Sequence, residues 1–171
     1  QELMAASYVT PRLVLRPTDE QDAEFFFELL NSPKWLANIG DRRVYSVETA
    51  ERYIAERIVA QREKYGYASF TLLRRQDSVK IGVCGLYRRD GLQLVDLGFA
   101  LLPKYEGFGY AFEACQELIQ KASEDFKIEE LAAITLPQNV ASRKLLGKLG
   151  FQFEKFFHLP NDETELCYYL K

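Results

Sequence analysis

The sequence predicts a single domain of mixed α/β class, and three observations carry that expectation. The 171 residues are enough for one sizeable core, with 47% hydrophobic and 27% charged side chains in ordinary balance. Strand-like and helix-like runs alternate along the chain without an internal repeat, a low-complexity tract or a linker. The stretch Leu92–Ala114, LQLVDLGFALLPKYEGFGYAFEA, joins an apolar run to a helical one through a turn bearing Gly107 and Gly109.

In order, Gln1–Val9 shows no strong period and reads as a loose lead-in. Arg12–Pro17 alternates polar and apolar residues and reads as an edge strand, ended by Pro17. Thr18 or Asp19 caps a helix whose apolar face is Ala23, Phe26, Phe27 and Leu30, and Asn31, Ser32 and Pro33 stop it. Lys34–Tyr45 is irregular. Ser46 and Thr49 open a second helix with Ala50, Tyr53, Ile54, Ile58 and Gln61 at helical spacing, and Gly66 closes it. Two β-rich runs follow, Tyr67–Arg74 and Lys80–Tyr87, turned by Gln76, Asp77 and Ser78; Gly82 and Gly85 mark a bulge or a close backbone approach. The central strand ends at Pro103, and a helix runs from Tyr110 to about Phe126. Leu131–Thr135 is a short buried strand, Asn139–Gly150 a short helix, and Phe151–Leu159 with Glu163–Leu170 a final hairpin turned at Pro160, Asn161 and Asp162. The count is seven strands and four helices.

Composition narrows the function. A net charge of −3 argues against general nucleic-acid binding and favours, weakly, a cationic reaction partner such as a polyamine or a basic protein terminus. No run is apolar and long enough for a bilayer, and no signal-peptide pattern opens the chain, so a cytoplasmic protein with no membrane partner is expected. Cys84, Cys115 and Cys167 lack metal-ligand spacing and read as small core hydrophobes, with no metal site. Monomer and homodimer both remain open. His158 has no serine or cysteine motif beside it, and no G-x-S-x-G elbow occurs.

The central stretch is suited to phosphate. Glycines at a strand-to-helix turn let a ligand approach the backbone, and the helix adds free N–H groups and partial positive charge. The dinucleotide fingerprint fails because Phe112 stands where its third glycine belongs, and no P-loop run exists. The pattern G-x-G-Y-A-x-E-A after an apolar strand instead resembles the pyrophosphate loop of the GNAT superfamily of acyl-CoA-dependent N-acetyltransferases, and within it the ribosomal-protein N-terminal acetyltransferases. A second segment, Thr135–Phe151, carries the likeness further through Asn139, Ser142, Lys148, Gly150 and Phe151 in an N-x-x-S…K-x-G-F run. The order strand, glycine loop, helix, strand, N-x-x-S helix, hairpin is also that family's order.

The resemblance implies a mostly antiparallel, twisted seven-stranded sheet flanked by about four helices, acetyl-CoA as cofactor, and an amine acceptor, either a small molecule or a protein N-terminus. It implies cofactor contacts from the backbone of Phe99, Ala100, Leu101 and Leu102, where the central strand splays from its neighbour. The loop Glu106, Gly107, Phe108, Gly109, Tyr110 and Ala111 would hold the diphosphate. Asn139 would hold the pantetheine arm, Ser142 would face the thioester sulfur as proton donor, and Lys148 would add charge beside Arg143 and Lys144. The loop departs from the family's usual form in carrying Lys104, Glu106 and Phe108; Glu106 would repel a diphosphate if it pointed inward.

Asp96 is unusual in a strand, and a carboxylate there can take a proton from an incoming ammonium, directly or through water. In the resembled branch an acidic residue at this place is the proposed base, one carbon longer than aspartate. A structural aspartate, satisfied by neighbouring donors, is the plain alternative. Trp35, Tyr45 and Tyr87 are candidates for the acceptor wall, with ordinary packing as the alternative for Trp35 and Tyr45. The rival to an enzyme is a non-catalytic acyl-CoA sensor of the same fold.

Overall fold

The computed structural model describes residues 6–171, so the first five positions of the expected lead-in lie outside the described residues. Eight strands form one open sheet in the order β1-β2-β3-β4-β5-β6-β8-β7. They are β1 Tyr8–Val9, β2 Leu13–Pro17, β3 Ser69–Arg74, β4 Lys80–Tyr87, β5 Asp96–Leu101, β6 Ala132–Thr135, β7 Gln152–Phe157 and β8 Leu166–Leu170. All neighbours are antiparallel except β5 and β6. The α-helices are α1 Ala23–Leu30, α2 Pro33–Asn38, α3 Val47–Tyr53, α4 Ala60–Tyr65, α5 Tyr110–Phe126 and α6 Val140–Lys148.

The eighth strand corrects the expected seven. Tyr8 and Val9 are no loose lead-in: they pair with Leu15 and Val14, because Tyr8 is buried against Phe70 and its hydroxyl donates to Asp125 at 2.7 Å. Arg12–Pro17 is accordingly not the outermost strand. α1 ends at Leu30 before Asn31, Ser32 and Pro33, as expected, but the segment after it is not wholly irregular: Pro33 opens α2 at its first position, where the missing N–H has no intrahelical role. The second helix begins as expected, with Ser46 accepting from the Thr49 N–H, and ends at Gly66 with φ of 91°. Its middle, Ile54–Val59, is π-helical, so Ala60 N–H donates to Ala55.

Two apolar clusters hold the layers together. α5 and α6 cover one face, where Leu118, Ala122, Leu146 and Leu149 meet Leu72, Leu86 and Leu97. α1, α3 and the π-helical turn cover the other with Phe26, Leu29, Ala50, Ile54 and Ile58, against Ala68, Val83 and Leu102. Cys84 and Cys115 lie in the first cluster, side by side and fully buried. Burying such a leucine contributes about 2 kcal/mol, so the clusters dominate the fold's stability.

β5 is where register becomes geometry. It pairs with β4 over its whole length but meets β6 at only one pair, Asp96 with Ala132. The strands then part. Leu102 N–H donates to Ile81 of β4 at 2.9 Å. By alternation the N–H and C=O groups of Phe99 and Leu101 point away from β4, into the gap. The strand also begins later than its apolar run: after the turn at Gly91, which lies against Pro160, the chain bends again at Gln93 and Leu94 before pairing starts at Asp96.

Candidate active site

The gap between β5 and β6 has a chemical mouth on each side. β5 leads through Pro103–Tyr105, a single 3₁₀ turn, into the glycine loop and α5. β6 leads to Asn139 and α6. Gly107 and Gly109 have φ of 85° and 83°, a left-handed conformation that strains any L side chain. A side chain at Gly107 would meet open space, so the backbone there is approachable. Gly109 caps α5, and the first intrahelical bond is Glu113 N–H to Gly109 at 3.1 Å, which leaves the N–H groups before it free of helical partners.

Three ties hold this loop, and sequence reading found none of them. Arg12 Nη1 donates to the Phe108 carbonyl at 2.9 Å, its Nε to Glu113 at 2.8 Å, and its guanidinium lies 4.5 Å from the Tyr110 ring centre. Thr10 Oγ1 donates to the same Glu113 at 2.6 Å. Glu106 is ion-paired with Lys34 of α2, which answers the charge problem raised by its place in the loop. Phe108 stays largely exposed, at 59%, and Tyr110 is buried. The residues fit an acyl donor with a diphosphate: free amides and a helix N-terminus for the anion, and an unpaired strand edge for amide groups.

On the other mouth, Asn139 Oδ1 accepts from the Ser142 N–H at 3.3 Å, so Asn139 caps α6. The cap uses Ser142's backbone and leaves its half-buried hydroxyl uncommitted. Lys148 sits at the opposite end of α6, nine residues or about 13 Å along the axis, beside Phe112 and Gln116. It is thus not brought to Asn139. Arg143 is held by Tyr169, its Nε donating at 2.8 Å.

At the closed end of the gap lies Asp96, on the face covered by α1 and α3. It opens β5 rather than standing mid-strand, directly across from Tyr87. Its Oδ1 accepts from Arg89 Nε at 2.9 Å; its Oδ2 is buried with no partner among the described residues. Burial pushes the carboxyl above the usual carboxylate range, and the Arg89 guanidinium opposes that rise. Tyr87 spreads its ring over Gly85 and Gly98, where any Cβ would collide with it, and Arg89 lies 5.9 Å from the ring centre. Burial raises the Tyr87 phenol well above its ordinary value, so it stays protonated and able to donate.

The remaining wall candidates separate. Trp35 on α2 packs against the α1/α3 cluster, and its indole Nε1 is buried without a partner among the described residues. Tyr45 is 64% exposed and bonded to Asp41, which raises its phenol; it has no packing role in this wall.

An open mixed sheet whose parallel pair, β5 and β6, parts beside a glycine-turned helix N-terminus is the architecture that the motif resemblance implied. The chain belongs to the GNAT acetyltransferase family: the model for the acetyltransferase (GNAT) domain matches residues 12–152. It is an acetyl-CoA-dependent N-acetyltransferase. The uncharacterized N-acetyltransferase YnaD of Bacillus subtilis (strain 168) is 24% identical over 86% of this chain and 84% of its own. Among solved structures, the ribosomal-protein-S5-alanine acetyltransferase of Vibrio fischeri matches with a TM-score of 0.77 at 18% identity, covering 97% and 96% of the two chains. RimL, a ribosomal L7/L12 α-N-protein acetyltransferase in complex with coenzyme A, matches at 0.80 and 20%, covering 96% of each. The ribosomal-protein enzymes are thus structural neighbours, as the motif resemblance implied.

Proposed function

We propose that this acetyltransferase moves an acetyl group to a primary amine by direct attack, with donor and acceptor bound together. Bound acetyl-CoA supplies an activated acyl thioester. The observation that carries the reading is the orphaned, buried Oδ2 of Asp96: with Oδ1 engaged by Arg89, it is the oxygen available to take a proton. Aspartate's short reach and its depth favour one relay water between Oδ2 and the amine. The N–H of Phe99 or Leu101, aimed into the gap, would meet the negative charge that develops on the carbonyl oxygen. The Ser142 hydroxyl would return a proton to the departing sulfur. The loop Glu106–Ala111 would grip the diphosphate and Asn139 the pantetheine arm. Trp35 and Tyr87 would wall the acceptor.

Incubating the protein with acetyl-CoA and an amine panel, while following free thiol, tests this. Release that depends on one amine and falls in Asp96→Asn and Ser142→Ala supports it. Cofactor-induced thermal stabilisation with no release from any amine would establish the sensor instead.

A further inference from the structure

A second space indents the surface beside Arg89, the partner of Asp96. A cleft of about 400 Å³ lies between the β4–β5 turn and the helical stretch from the π turn through α4, and Arg89 is part of its wall. Arg89 therefore touches both the cleft and the buried carboxylate, with its side chain one-third exposed. Arg57, Gln61 and Lys64, spaced i, i+4 and i+7, share the face of the helical stretch that lines the cleft. Gln61 fixes the floor, donating to the carbonyls of Tyr67 and Leu86 at 2.9 Å each and accepting from the Arg88 N–H at 3.2 Å.

Charge in this cleft runs against the chain as a whole. Arg57, Lys64, Arg88 and Arg89 line it, in a protein of net charge −3. Arg89 is paired with Asp96. No ion pair among the described residues involves the other three. Arg88 and Lys64 instead hold against the ring of Tyr65, 4.7 and 5.2 Å from its centre, which keeps both near the cleft without neutralising either. Glu56 and Asp90 also line the space, so with Arg89 paired to Asp96 the wall holds three cations against two carboxylates, one positive charge in excess.

We propose that the amine acceptor of this enzyme carries a second, anionic group, a carboxylate or a phosphate, received by Arg57, Lys64 and Arg88. The inference rests on the acetyltransferase reading and names its acceptor class. Two effects follow from one arrangement. The anion anchors the acceptor at the cleft while its amine reaches past Arg89 toward Asp96. The same cations lower the amine's pKa, so a larger share of it is neutral and nucleophilic at pH 7. A polyamine meets repulsion at this entrance, contrary to what net charge alone favoured. The volume suits a small acceptor or the first residues of a peptide.

The test compares amines matched in size: O-phosphoethanolamine with ethanolamine, glycine with glycinamide, tripeptide amides with acidic or with amide side chains, and putrescine. The readout is kcat/KM from thiol release. Anionic members are expected to exceed their neutral partners by about tenfold, the worth of one or two partly exposed ion pairs. In Arg57→Gln/Arg88→Gln that ratio is expected to fall toward one, chiefly through KM, with coenzyme A affinity retained as the check on folding. Whether phosphate, carboxylate or acidic peptide leads the series identifies the source of the anion. Turnover that favours neutral amines or putrescine overturns this inference alone. Coenzyme A binding without turnover of any amine overturns the acetyltransferase reading and the inference with it.

Discussion

Arg89 Nε donates to Asp96 Oδ1 at 2.9 Å across the edge where β4 meets β5, and Asp96 Oδ2 is left buried without a partner among the described residues. One oxygen is thus charge-compensated and the other available. Burial raises the affinity of this carboxyl for a proton, and the guanidinium keeps it from rising further. Asp96→Asn preserves shape and removes that proton site. We expect kcat/KM to fall by about 10²–10³, within the range for a lost general base, with coenzyme A affinity unchanged by calorimetric titration.

The same pair fixes a pH dependence. In the proposed role of base Asp96 acts deprotonated, so activity is expected to be lost as pH falls through its raised pKa, above the ordinary aspartate value of about 3.9. Removing the opposing cation in Arg89→Gln is expected to move the acidic limb of kcat/KM to higher pH, and Arg89→Lys to restore part of it. An acidic limb that does not move in Arg89→Gln would mean the pair does not govern the titrating group.

Asp22 behaves in the opposite sense. Burial works to raise its pKa, but Arg16 at 2.6 Å, Lys80 at 2.8 Å, the Asp19 N–H and the Thr71 hydroxyl outweigh it and hold the carboxyl below the usual range. Its stabilising contribution is present above the unfolded value, about 3.9, and is lost as pH falls through the lower folded one. Asp22→Ala leaves two cations beside a buried void. We expect a loss of about 3 kcal/mol in urea unfolding at pH 7, the low end for a broken buried pair because Arg16 and Lys80 are partly exposed.

Glycines at two positions predict opposite signs. Gly109→Val forces a branched residue to φ of 83°, at an expected stability loss of about 1–2 kcal/mol and about a tenfold loss of coenzyme A affinity from the displaced loop. Gly147→Ala, inside α6 with open space around it, is expected to stabilise by about 0.5–1 kcal/mol. Unchanged coenzyme A affinity in Gly109→Val would count against the loop as the diphosphate site.

Asn139 and Ser142 can be separated experimentally. Asn139→Ala removes the α6 cap and is expected to lower stability by about 1 kcal/mol. Ser142→Ala keeps the backbone N–H that the cap uses, so stability should hold within about 0.5 kcal/mol while kcat falls. A thermal melt beside steady-state turnover distinguishes the two.

The sequence by itself determined the parts whose cause is local. Ser46 accepts from the N–H three residues on, Gly66 and Gly150 take left-handed φ at helix ends, and Gly107 and Gly109 mark the strand-to-helix turn, because each depends on a few neighbouring dihedrals. Only the tertiary structure decided who meets whom. Lys34 pairs with Glu106 at a separation of 72 positions, and Arg12 with Glu113 at 101. The eighth strand, the π turn and Arg89 on Asp96 belong with these. Their geometry follows from sheet register and from which helix covers which face, and hydrophobic period reports that a residue is buried without saying against what.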